Sequence, residues 1–156
     1  MDELYDLIRR FEGFRSKPYL CPAGVATIGY GSTGKDITLD HPPVTRQWAE
    51  ARMRHEADVF AQAVLAVSPV LAQHPSRWAA IADFAYNLGA ARYKGSTLRR
   101  KVNAEDWHEA ARQINKWVYG GGRKLPGLII RRAVESQMIL HPKEKTPAPR
   151  ERNAGA

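Results

Sequence analysis

Between residues 18 and 40 the chain changes its pattern, and that change limits the folds open to it. Glycine stands at 24, 29, 31 and 34, and between the glycines lie Tyr19-Leu20, Val25-Ala26-Thr27-Ile28 and Tyr30. β-Branched and aromatic residues set between glycines describe short strands joined by tight turns, here a hairpin or a three-stranded sheet. Repeated glycine also marks places where backbone approaches another group closely. The chain on either side follows helical spacing. One small sheet near the N-terminus of a helical chain is an α+β architecture.

Leu4, Leu7, Ile8 and Phe11 recur at helical spacing and predict a helix over 3–14, with Asp2 as its N-cap and Gly13 and Pro18 ending it. Thr45 caps a long helix from Arg46 to about Val67, with Trp48, Met53, Val59, Phe60 and Val64 near one side. Ser76 is the expected cap of the next helix, which stops at the Asn87-Leu88-Gly89 signal. Shorter helices over 97–102 and 104–116, a flexible loop at 120–122 and a last helix over 128–140 complete the reading. The long helix would join a sheet lobe, about 15–44, to a larger helical lobe, and two lobes meeting at an angle leave a cleft for a ligand. Trp48, Trp78, Trp107 and Trp117 are expected in the core. The domain therefore runs over 1–141. Residues 142–156 are charged and proline-rich and are expected to be a disordered basic tail.

Composition narrows the function. A chain of 156 residues with 44% hydrophobic content can bury a core without disulfides or a structural metal, and Cys21 has no partner for an internal disulfide. The longest apolar runs are a few residues, against the roughly 20 that a membrane-spanning helix needs. The N-terminal MDELYDLIRRFEG lacks a basic and then apolar leader, so no secretory signal is expected. His41, His55, His74, His108 and His141 show no metal-ligand spacing, and no phosphate-binding or dinucleotide fingerprint occurs, so neither metal nor cofactor is expected. Charge is uneven. Residues 1–83 carry 9 basic and 10 acidic side chains, and residues 84–156 carry 15 and 6, a balance of +9 in the second part. Such a field suits nucleic acid, anionic lipid or an anionic wall polymer. No helix-turn-helix, zinc finger or RNA-binding aromatic motif stands out, which disfavours a nucleic-acid-binding protein.

The candidate chemistry lies in the spacing Glu12-x8-Cys21-x5-Thr27. A helix end leading straight into a hairpin can gather all three side chains around one point. The negative end of a helix, with Phe11, Phe14 and Tyr19 as apolar neighbours, favours a glutamate that keeps its proton. A protonated carboxyl is what a glycosidic oxygen needs from a leaving-group acid. A free cysteine, read alone, is more often a small buried apolar residue.

Residues 12–34, EGFRSKPYLCPAGVATIGYGSTG, resemble the active-site segment of the phage-type lysozymes, the endolysin muramidases of glycoside hydrolase family 24. That family shows Glu, then Asp or Cys nine positions on, then Thr six later, then an Ile-Gly-Tyr-Gly-type run. DFAYNLGAARYKGSTLRRKVN (83–103), WVYGGGRKLPGL (117–128) and RRAVE (131–135) resemble the same family in order. The resemblance implies a two-lobed lysozyme fold and cleavage of the β-1,4 bond between N-acetylmuramic acid and N-acetylglucosamine in peptidoglycan. It implies Glu12 as general acid and Cys21 and Thr27 as the groups that position or activate water, with inversion at the sugar carbon. Cys21 leaves three roles open: thiolate base, thiolate nucleophile or positioner. Arg131 or Arg132 would reach Glu12. Tyr30, Asn87, Gly121 and Gly122 would line the cleft, and Asn87 also fits a helix C-cap. Ser32 departs from the family, which often has His there, and the change is expected to bear on stability. The resemblance further implies a monomer acting on the host wall after release from the cytoplasm, with a holin-like permeabiliser opening the way. A lytic transglycosylase using Glu12 alone and a weakly active wall-binding relative are the alternatives.

Overall fold

The computed structural model describes residues 1–143, so the expected disorder of the tail lies outside the described residues from 144 onward. Helix α1 (Asp2–Glu12) leads into an antiparallel hairpin of β1 (Arg15–Leu20) and β2 (Ala26–Gly29). Then follow α2 (Arg46–Val67), a 3-10 turn (Pro69–Gln73), α3 (Pro75–Leu88), α4 (Ala90–Lys94), α5 (Thr97–Asn103) and α6 (Trp107–Ile114). A second small hairpin of β3 (Tyr119–Gly120) and β4 (Arg123–Lys124) precedes α7 (Pro126–Leu140). The expected α+β plan of a small sheet and a larger helical part is what the chain adopts.

Helix α2 organises the two parts. Its 22 residues span about 33 Å. Thr45 caps it as expected, its hydroxyl accepting from the Trp48 amide at 3.1 Å. Ala49, Met53, Ala57 and Ala61 recur every four residues, all fully buried, and small side chains let α1, the end of β2 and α3 close against this face. Gly29 shows how tight the contact is, since a Cβ there would stand 3.0 Å from the Ala49 Cβ. Val64, one turn from the helix end, belongs to the second core, with Phe84, Tyr93, Leu98, Ile114 and Ile139. The long helix thus takes part in both hydrophobic clusters.

Several local expectations are corrected. Met1, not Asp2, precedes the first helix. Ser76 lies inside α3, where Pro75 takes the first helical position, and its hydroxyl donates to Glu3 at 2.7 Å. The helix expected over 104–116 begins only at Trp107, because Glu105 adopts φ +55 and the Asp106 carboxylate caps the new start. The loop at 120–122 is the tip of a hairpin, with Gly121 and Gly122 at φ +58 and +78, values suited to a tight two-residue turn. Trp78, Trp107 and Trp117 pack against the cores. Trp48 is instead 36% exposed, beside Arg52 and His41.

Candidate active site

Helix α1 ends at Glu12 because Gly13 takes φ +66 and turns the chain into β1. The Glu12 side chain is 20% exposed, and its Oε1 accepts a hydrogen bond from Arg131 Nη1 at 2.6 Å. The turn after β2 covers its other side. A Cβ on Gly31, at φ +78, would lie 2.7 Å from Glu12 Oε2, so the position must be glycine for the carboxylate to rest there. The Tyr86 hydroxyl holds that turn by donating to the Tyr30 carbonyl at 2.8 Å.

The hairpin register sets the rest. Tyr19 pairs with Thr27 across the strands, and the Cys21 amide donates to the Val25 carbonyl at 3.0 Å. Alternation along the strand then puts Tyr19, Cys21 and Thr27 on one face. Irregular pairing between Arg15 and Tyr19 surrounds Pro18, which has no amide hydrogen to give the ladder. Cys21 is half-buried. Burial pushes its thiol up, but polar groups around it, the backbone of Val25 and Ala23 first and the Thr27 side chain next, outweigh this and leave it below the usual value. Thr27 is 3% exposed, and its hydroxyl also lies 2.9 Å from the Val25 carbonyl. The Tyr19 phenol stands on the same hairpin, opposite Thr27. Burial raises it first and the Glu12 charge second, with Cys21 adding to the effect. Thr27 and Cys21 thus lie on the hairpin that follows Glu12 directly in the chain.

The two arginines separate. Arg131, 4% exposed, reaches Glu12 and also grips Asp83 through two hydrogen bonds, Nε to Oδ2 at 2.9 Å and Nη2 to Oδ1 at 2.8 Å. Burial works against its charge, but Asp83 and then Glu12 more than offset it. Arg132 does not reach Glu12. It is fully buried and donates to Asn87 Oδ1 at 3.0 Å and to Glu135 Oε1 at 2.9 Å. Asn87 is half-buried and accepts from Arg132 through its Oδ1, and it is not the helix C-cap, a place Gly89 takes. Tyr30 is also corrected: its ring is 6% exposed and packs against Phe14 at 5.6 Å, so it is a core side chain. Gly121 and Gly122 are exposed at the hairpin tip that precedes α7.

Ser32 is fully buried and donates to Glu56 Oε2 at 2.7 Å. Glu56 also accepts from Arg52 Nε at 2.8 Å, and Arg52 reaches the Thr33 carbonyl at 3.0 Å and Asp36. A serine–glutamate–arginine chain thereby ties the turn over Glu12 to α2. Sequence reasoning missed Asp83, Tyr86 and Glu135, and marked Gly31 only as one of several glycines suited to a close approach. Asp83 carried a signal, since an acid between Ala79-Ala80-Ile81-Ala82 and Phe84-Ala85 must be buried and needs a partner.

The phage lysozyme family matches residues 9–135, a span holding Glu12, Cys21, Thr27, Asp83 and Arg131. The chain belongs to the phage lysozyme family. Family membership supports a lysozyme-type hydrolase. Among its relatives, the SAR-endolysin of Bacteriophage PS119 is 37% identical over 133 residues, covering 85% of this chain and 78% of that protein. The endolysin of Acyrthosiphon pisum secondary endosymbiont phage 1 is 36% identical, covering 85% and 92%. Solved structures agree with this lysozyme fold. The muramidase domain of SpmX from Asticaccaulis excentricus superposes with a TM-score of 0.77 at 29% identity, covering 91% of this chain and 97% of that one. The active form of the P1 phage endolysin Lyz gives 0.75 at 25%, covering 90% and 84%. Among the described residues of this chain, no helix is long and apolar enough to cross a membrane.

Proposed function

We propose that this phage lysozyme is a muramidase that hydrolyses the β-1,4 bond between N-acetylmuramic acid and N-acetylglucosamine of peptidoglycan. The observation that carries the reading is Glu12 held by Arg131 at the end of α1, where the chain turns directly into the hairpin that bears Cys21 and Thr27. Glu12 gives its proton to the glycosidic oxygen as the bond from that oxygen to the sugar carbon breaks. A water on the opposite face of the ring, held by Thr27, forms the new bond to that carbon and passes its proton to the Cys21 sulfur. A lowered thiol supports this role, because it raises the share of thiolate, the form that accepts a proton. Attack from the far side inverts the anomeric carbon. The basic second part of the chain would favour the anionic wall mesh.

Glu12→Gln tests the acid. The variant should fold normally and lose at least about a hundredfold in peptidoglycan hydrolysis, the usual scale for a missing general acid. Unchanged turnover would refute the assignment. Proton NMR of the first product separates the routes for water: the α-anomer should appear first, and an initial β-anomer would demand a covalent intermediate on the protein.

A further inference from the structure

Behind the acid stands a second carboxylate with no access to solvent. Asp83 is fully buried on α3, and both of its oxygens are taken by Arg131. A two-point fork fixes the plane of a guanidinium as a single contact would not. With Nε and Nη2 bound to Asp83, the Nη1 side faces Glu12. We propose that Asp83 is a positioning residue for this reaction: it aims Arg131 at Glu12, and its negative charge offsets the pull of Arg131 on the Glu12 proton. The proposal rests on reading Glu12 as the acid.

A proton donor must hold its proton until the bond breaks. An arginine beside a carboxylate favours the ionised form, which is the wrong form for a proton donor. Sharing the guanidinium between two carboxylates weakens that pull. The other groups facing this cluster do not replace Asp83. Tyr19 on β1 and Tyr86 on α3 have phenols raised first by burial, and both stay neutral. Cys21 faces Tyr19 and Thr27 on the hairpin. Glu135 on α7 lies 4.0 Å from Arg131 Nε and 2.8 Å from Arg132 Nε, and burial, then Asp83, push its carboxyl well above the usual carboxylate range. Arg132 on α7 is engaged with Glu135 and Asn87.

The test is the carbon-13 NMR titration of the Glu12 carboxyl in glutamate-labelled protein, its signal identified by its loss in Glu12→Gln. In Asp83→Asn the Glu12 midpoint and the alkaline limb of the activity profile should both move down by about one pH unit. On the alkaline side that is about a tenfold loss of rate. An unmoved midpoint in folded Asp83→Asn would overturn the proposal. Asp83→Glu keeps the charge but changes the reach. It should leave the midpoint in place and lower kcat several-fold with KM little changed. Full kcat in that variant would overturn the positioning role, and this arm decides the matter if the asparagine variant does not fold. The titration needs no turnover, so a wild-type protein that releases no sugar would sink the muramidase reading while the Asp83 result still stood on its own.

Discussion

Gly31 and Glu12 share one small volume, and the site depends on neither giving way. A methyl group at Gly31 would meet the Glu12 carboxylate at 2.7 Å while forcing an L residue to φ +78. Gly31→Ala should therefore cost about 1–3 kcal/mol by urea denaturation. It should also cost at least about tenfold in turnover, since misplacing a catalytic group by an ångström is expensive. Unaltered activity would show that Glu12 does not act from its observed position. Cys21 can be tested as a base by restoring the chemistry with another group. Cys21→Ser should fall about a hundredfold, and Cys21→Asp, which returns a proton acceptor, should recover most of that loss. Full activity in Cys21→Ser would leave the sulfur as a spacer. Glu12, Cys21 and Thr27 were legible in the sequence because 16 positions hold all three and a two-residue period fixes which face each occupies. Arg131 was named only as one of two arginines that the family resemblance brings to Glu12, and Asp83 was not named at all, since they lie 119 and 71 positions from Glu12 and join its cluster only when α3 and α7 pack. Tyr30 misled because a tyrosine in a glycine-rich turn looks exposed until Phe14 is brought against it.

At the level of elements, the contact of α3 with α7 carries a buried acid whose protonation ties stability to pH. Burial and Asp83 raise Glu135, so the folded chain holds a proton there at pH values where the unfolded chain has released it. Its contribution is complete below the ordinary glutamate range and is lost as pH rises through the folded value. As pH rises above the ordinary glutamate range, stability of the wild type should therefore fall more steeply than that of Glu135→Gln, which stays neutral throughout. Parallel slopes in urea titrations would mean that Glu135 is ionised in the fold. The long, capped helices were readable as elements, α2 most clearly through Thr45. The short ones were not. Gly89 does end α3, as its φ of +96 shows, but the chain starts α4 at the next residue, and five residues carry too little periodicity to announce a helix. The small hairpin before α7 looked like a loop because two-residue strands have no alternation to read.

Across the whole molecule, α2 links the hydrophobic cluster beneath Glu12 to the helical cluster, and the cationic second part extends from there. Exposed Arg92, Lys94, Arg100, Arg123 and Lys124 all belong to that part. Binding to purified peptidoglycan, followed by co-sedimentation, should weaken progressively as salt shortens the screening length from about 10 Å at 0.1 M to about 3 Å at 1 M. Salt-independent binding would mean that sugar contacts alone hold the protein on the wall. An apolar groove of about 650 Å³, lined by Leu7, Ile129, Ile130, Val134 and Met138, lies between α1 and α7 and does not include Glu12, Cys21 or Thr27. The account therefore turns on the polar site at the helix–hairpin junction. Mass analysis of the soluble sugars released from purified peptidoglycan tests it most directly. Fragments ending in a hydrated, reducing N-acetylmuramic acid, absent when Glu12→Gln replaces the wild type, are the predicted result, and 1,6-anhydro ends or no release at all would contradict it.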